Sequence, residues 1–490
     1  MPVLRNFTRN GRFHPDRHCP KIDEPIELNT STSPDPSDDT PALPRRLSLL
    51  QGTALNMIDM VGIGPFVVLP LVMKTIGGPH FLLAWAFGAL ISLIDASVWS
   101  ELGAAFPQAG GSYRFLKIAY GEEKLGRLMS FLYVWQTLIQ APLVVASGAI
   151  GFAQYASYLY PLDDLTRRLV SGGVVLLVIA LLYRRIDGIG RISVLLWLCV
   201  LGTMGWLILG GLLNGTHPVE QLLSDAWTAT ESTSPLVLAA TVGAASVKTI
   251  YCYLGYYNIC HLGGEIQKPE RNIPMSMFLS VIGIAILYSL LNLSVASVLP
   301  FETAANSKFI VSTMIETLYG TNAARFATLL VLVVAFSSLF AVLLGYSRVP
   351  YAAAVDGQFF SAFAKLHPTR QFPYVSLLFL GGLAFIFSLL FKLSNVITAI
   401  LAMRVVVQFI GQAVGLLLLH GRSQQAGQPA VTFPFRMPLY PLPVLLAIAI
   451  WGYIFYSTGR DYMLSGLTVM ALGTVAYFIS ARVRHRWPFG

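Results

Sequence analysis

Charge is scarce in this chain: Asp, Glu, Lys and Arg make up 12% of its 490 residues, about half the quarter expected of a soluble domain. That scarcity excludes a solvated globular protein. The basic residues are dispersed with no basic domain to hold them, so no nucleic-acid partner is expected. Cysteine is rarer still. Cys19, Cys199, Cys252 and Cys260 have no metal or redox spacing, which leaves no metal and no cofactor to expect. The stretch YLYPLDDLTRR, residues 158–168, has no cysteine, so no disulfide-linked partner chain is expected there. Neither a G-x-x-x-x-G-K-[ST] phosphate loop nor an H-E-x-x-H motif occurs, and an enzyme is not expected.

What is present in excess is apolar. Hydrophobic residues are 55% of the chain and the mean hydropathy is +0.64. Windows of about 20 apolar residues, each enough to cross a bilayer core, predict twelve spans. They lie near 48–75, 79–106, 127–157, 166–184, 190–214, 236–264, 272–300, 321–347, 374–392, 395–420, 438–458 and 462–481. The expected class is therefore an all-α polytopic membrane protein with the lipid bilayer as its solvent. With the N-terminus inside, the inner loops carry twice the Lys and Arg of the outer ones, and Arg45, Arg46, Arg482, Arg484 and Arg486 add to the inner side. Both termini are expected in the cytoplasm. Residues 1–44 are rich in Pro, Ser, Thr and Asp and read as a disordered cytoplasmic tail. No apolar stretch precedes the first span, so no cleavable signal peptide is expected and that span directs insertion.

The first span contains its own interruption, Asp59-Met60-Val61-Gly62-Ile63-Gly64-Pro65-Phe66. Pro65 has no N–H and its ring clashes with the carbonyl of Val61, while Gly62 and Gly64 tolerate unwound backbone. The helix is expected to break there. Broken helices persist in a bilayer only where protein or a water-filled cavity satisfies the freed groups, which makes the break either a binding site or a packing kink.

Two further motifs follow. The second span runs into Glu101-Leu102 and then Pro107, Gly110, Gly111 and Tyr113, and the sixth carries Tyr251-Cys252-Tyr253-Leu254-Gly255-Tyr256-Tyr257, continuing through Glu265, Pro269, Arg271 and Pro274. Together with the Gly-Ile-Gly-Pro-Phe break, these resemble the amino acid, polyamine and organocation transporter superfamily, within it the L-type amino acid permeases and polyamine uptake transporters. The resemblance implies an inverted five-helix repeat of the LeuT-like kind, with broken helices one and six. The repeats would be residues 45–215 and 236–420, followed by two additional spans and a tail over 438–490. It places Ile63, Gly64 and Pro65 where a substrate carboxylate is faced. Met60, Tyr251 and Leu254 fall where main-chain carbonyls receive the amine, with Cys252 and Gly255 in the same stretch, and Tyr251 takes the position of an aromatic gate.

Helix ends explain why such a pair suits a zwitterion: N-terminal ends present N–H groups to an anion, and C-terminal ends present carbonyls to an ammonium. Relatives often have Ser at the place of Ile63 and an N–H donor at that of Pro65, so the anion cradle is reduced here and a simple amine gains weight as substrate. Ionisable groups within spans usually face a pathway. Here they are Asp59, Asp95, Lys248, His261 and Arg404, of which the first four are candidates for charge recognition or coupling. Asp59 is either an ammonium partner, a proton acceptor, a buried partner of Lys248, or a neutral acid capping a freed N–H. His261 either titrates or is hydrogen-bonded structure. The resulting expectation is a secondary active transporter in the plasma membrane that moves amino acids by alternating access, with a coupling proton or an exchanged substrate as further partner. A polyamine transporter is the alternative, and a membrane nutrient sensor the alternative of another class.

Overall fold

The computed structural model describes residues 44–183, 186–391, 393–423 and 431–483. The expected tail through residue 43, Cys19, Arg484 and Arg486 lie outside the described residues. All twelve apolar segments are helical, and the chain is a multi-pass membrane protein. Among the described residues, nine helices are long and apolar enough to cross a membrane, and the pair Leu49–Met60 and Gly64–Ile76, bent by 46°, makes a tenth span. The segments expected as spans nine and eleven form the shorter helices Tyr374–Leu390 and Leu442–Ser457, of 17 and 16 residues, below the roughly 20 that a bilayer core requires of an upright helix.

Local sequence sets the ends that matter. Ser48 and Gln51 form a reciprocal capping box at the start of span one, with the Ser48 N–H donating to Gln51 Oε1 at 2.9 Å. Pro65 stands in the first turn of Gly64–Ile76, where its missing N–H costs nothing. The loop from Pro300 to Gly320 reads as a polar linker in sequence; it folds instead into helices Phe301–Asn306 and Ile310–Tyr319. Phe309 between them packs on Tyr155 and Tyr158 of span three (Leu125–Leu159).

One end of the bundle is tied together by short-range polar contacts. The N–H groups of Arg46 and Leu47 both donate to the Glu265 carbonyl, and Gln267 N–H donates to the Leu47 carbonyl. The Glu265 carboxylate pairs with Arg348 at 2.7 Å, both side chains being buried. Asp356 binds Arg114 and Lys117 at 2.7 Å each and accepts from Tyr113 Oη at 3.0 Å. Burial, and after it the Asp356 carboxylate, push the Tyr113 phenol well above its ordinary range, so it remains a neutral donor. Glu101, at the end of span two, is buried against His420 at 2.6 Å and accepts from the Met437 N–H at 3.0 Å.

Candidate functional site

The two interrupted spans lie side by side. Span one unwinds between Met60 and Gly64, and span six ends its first helix at Tyr253, then turns through Leu254–Tyr257 into the short helix Asn258–His261. Groups freed by these breaks are taken up by side chains from elsewhere. Tyr288 Oη donates to the carbonyls of Met60 at 2.7 Å and Cys252 at 3.1 Å, joining the broken spans. Asn56 Oδ1 accepts from the Ile259 N–H at 3.0 Å, and Ser338 Oγ donates to the Asp59 carbonyl at 3.1 Å. Gly255, at φ 125°, lets the second break pass against the first, since a Cβ there would lie 2.8 Å from Asp59 Cγ and 3.0 Å from the Met60 nitrogen.

A cavity of about 50 Å³ opens between the breaks, near the middle of spans three and eight. It brings together Asp59, Met60, Ile63, Gly64, Tyr251, Cys252, Leu254 and Gly255. One water requires about 10–15 Å³ of such space, so a solute larger than a few waters enters only as the lining moves. Tyr251 is placed to move. Its ring lies over Gly64, 3.4 Å from where a Cβ would be, and its hydroxyl meets Ser147 Oγ at 3.0 Å.

The charges of this cavity are unusual. Among the described residues, the Asp59 side chain has no hydrogen bond and no ion pair, with Lys248 or any other group. Arg404 lines the same cavity, buried and likewise without an acidic partner within ion-pair distance. It donates to Tyr257 Oη, lies 5.5 Å from the Tyr346 ring centroid, and keeps an unpartnered Nε. Sequence reading identifies Arg404 as an intramembrane charge but does not assign it to the site. A π-helical stretch, Val405–Gly411, begins immediately after it; such widened turns are frequent at functional positions. An arginine and an acid that line one cavity without direct contact can face the two ends of a zwitterion.

Four sequence candidates lie off the cavity. Pro65 is buried in the turn of its helix. Asp95 accepts from Tyr256 Oη and from Trp451 Nε1 at 2.9 Å, which satisfies it within a buried cage between spans two, six and eleven. Lys248 is partly buried one turn before Tyr251 and does not line the cavity. His261 is fully buried, with Nε2 at 3.0 Å from Tyr133 Oη and its ring among Trp99, Tyr257 and Tyr346. It touches the cavity wall from behind.

The described chain from Leu47 to Tyr477 matches the family model of the amino acid permeases, over residues 47–477. It is similar to the cystine/glutamate transporter of Homo sapiens, 24% identical over 454 residues that cover 91% of this chain and 87% of that one. It is also similar to cationic amino acid transporter 4 of Homo sapiens, 26% identical over 85% of this chain and 65% of that one. The serine/threonine exchanger SteT of Bacillus subtilis is 24% identical, over 87% and 94% respectively.

Proposed function

The chain belongs to the amino acid permease family, and on that premise we propose that it carries a zwitterionic amino acid between Asp59 and Arg404 and releases it across the membrane by alternating access. The observation that supports this is an acid and an arginine, Asp59 and Arg404, that line one cavity between two broken spans, with no ion-pair contact within 4.0 Å for either among the described residues. Asp59 and the carbonyls of Met60 and Leu254 serve the ammonium. Arg404 serves the carboxylate and replaces the donors that Ile63 and Pro65 do not supply. Tyr251 closes over the bound molecule. A simple diamine is disfavoured, because the fixed charge of Arg404 would repel one of its ends.

The relatives bear names of anionic, cationic and neutral amino acid substrates, so the family leaves the side chain open. Exchange of one amino acid for another is the coupling we favour, in keeping with the exchanger among them. Broken spans one and six, one from each of the inverted repeats 45–215 and 236–420, hold the substrate and rock against a scaffold of the other spans; the excess of Lys and Arg on the inner loops supports cytoplasmic termini, and the plasma membrane is the location that goes with uptake of amino acids.

Thermal stabilisation of the purified protein across a panel of amino acids and polyamines tests the substrate class. A ligand at 100 times its dissociation constant adds about 2.7 kcal/mol, so a neutral or charged amino acid should raise the melting temperature visibly. Stabilisation by putrescine-like amines alone would replace the amino acid reading with the polyamine one. Asp59→Asn should abolish uptake while leaving expression intact, since it removes the one acid among the described residues that line the cavity; uptake at the wild-type rate across the pH range would remove Asp59 from the mechanism.

A further inference from the structure

A second cavity, of about 360 Å³, lies away from the breaks, where spans three and nine meet span four (Asp164–Leu182). Span three runs away from helix Ser112–Ala119 for 35 residues, about 50 Å at 1.5 Å per residue. The cavity is therefore near the end of the bundle opposite Glu265. Val144 and Gly148 of span three line the first cavity, whereas Ile150, Ala153 and Gln154 line this one; at 3.6 residues per turn the two sets stand on different sides of the helix.

Sequence explains the setting. Span four opens on Asp164-Leu165-Thr166-Arg167-Arg168 and carries no further charge through Leu182. Its arginines thus stand where an apolar span leaves the bilayer, at the level of phospholipid headgroups. Asp164, Arg167, Arg168 and Ser171 recur at three- and four-residue steps, so they share the face that lines the cavity.

An arginine at that level commonly extends its head into water and needs no ligand. Ser171 does not fit so plain a role. It is buried, lines the cavity one turn below the arginines, and its Oγ has no hydrogen-bond partner among the described residues. The other hydroxyl of the lining, on Ser388, already donates to the Phe385 carbonyl at 2.7 Å. A buried hydroxyl without a partner is unfavourable, and the cavity has room for a polyatomic group rather than for one water, which takes about 10–15 Å³.

The charges of the lining select an anion. Arg167 pairs with the exposed Asp164, while Arg168 donates one N–H to the Leu389 carbonyl at 3.1 Å and makes no ion pair among the described residues. Two guanidinium groups against one carboxylate leave a net positive charge, and each offers five donors in a planar fork that matches a phosphate. Alongside, Leu165, Leu169 and Leu176 stand exposed on one side of span four, and Leu390 and Phe391 are exposed at the end of span nine. A hydrocarbon chain gains from covering such surface. A free ion gains nothing from it.

We propose that this cavity is a phospholipid site, in which Arg167 and Arg168 hold the phosphate, Ser171 donates to a glycerol ester oxygen below it, and the acyl chains run along Leu165, Leu169 and Leu176. The arginine donors recognise any phosphate, and the leucines select the lipid over the free ion. The site stands apart from Asp59 and Arg404 and does not rest on the transport reading.

The test is native mass spectrometry of the full-length protein, delipidated in detergent and titrated with dioleoylphosphatidylglycerol, with inorganic phosphate as the competing free anion. The wild type should retain one lipid more tightly than any further ones, and millimolar phosphate should not displace it. Replacing both arginines, Arg167→Gln with Arg168→Gln, should weaken that lipid about tenfold or more, and Ser171→Ala should weaken it by a smaller factor. Arg460→Gln, which removes a charge from the start of span twelve (Arg460–Val483), should leave it unchanged. If the double variant does not fold, Ser171→Leu, which fills the cavity and keeps both arginines, takes its place with the same expected loss. Equal retention by the wild type and these variants overturns the site, as does an equal loss in Arg460→Gln. Inorganic phosphate that displaces the lipid from the wild type, or binds where no lipid is retained, overturns the phospholipid in favour of a free anion.

Discussion

An Arg404→Gln variant should bind zwitterionic amino acids on the order of 10²–10³-fold more weakly and show no measurable uptake at substrate levels that saturate the wild type. The magnitude follows from removing one member of a desolvated, hydrogen-bonded charge pair, which costs about 2–5 kcal/mol, with each 1.4 kcal/mol worth roughly tenfold. Part of that cost is the penalty for a carboxylate left in the cavity with no cation. Arg404→Lys should recover only a fraction, because a compact ammonium reproduces neither the planar fork nor the packing on Tyr346. The loss of the Tyr257 contact also touches stability, so the decisive comparison is between ligands. Amines without a carboxylate should bind the variant as well as they bind the wild type, or better, since a repulsive charge is gone. An unchanged KM for amino acids in Arg404→Gln would show that the carboxylate lies elsewhere.

The second large effect belongs to the end of the bundle that holds Glu265. Glu265 and Arg348 form a buried two-point pair, Nε to Oε1 at 2.7 Å and Nη2 to Oε2 at 3.3 Å, between the turn after broken span six and the end of span eight. Deleting one partner strands the other charge in a dry site and typically costs about 3–5 kcal/mol. Glu265→Ala is therefore expected to melt well below the wild type. Combining it with Arg348→Met should restore most of the loss, because two apolar groups carry no unpaired charge. The same carbonyl end of Glu265 holds Arg46 and Leu47, so the double variant also isolates the backbone clasp from the ionic one. If the single and double variants melt together, the pair is not what holds this end closed.

Both effects involve residues whose partners are remote in sequence, and this sets how far the sequence could be read. The breaks at Gly62 to Pro65 and at Leu254 to Tyr257 were legible because glycine and proline act on their own backbone. The apolar windows gave the helices for a similar reason, and spans nine and eleven differ from expectation only in length. Asp95 is the opposite case. It reads as an intramembrane charge available for function, yet Tyr256 and Trp451, 161 and 356 residues away, enclose it. Arg404 is distinguished from Asp95 by nothing local except a π-helical turn that the sequence does not announce. The helices of the Pro300 to Gly320 loop were missed because its polar residues mask two short segments that pack through a few aromatic contacts.

The hydroxyl of Tyr288 reaches the carbonyls of both Met60 and Cys252, but it has one hydrogen to give. At any instant one of these oxygens is served and the other waits. An ammonium arriving at Met60 would free the phenolic hydrogen to pivot wholly onto Cys252, so occupancy reroutes bonds rather than breaking them. The loaded form then serves both carbonyls where the empty form serves one at a time, so the backbone freed by the two breaks is better satisfied with an ammonium present than without it.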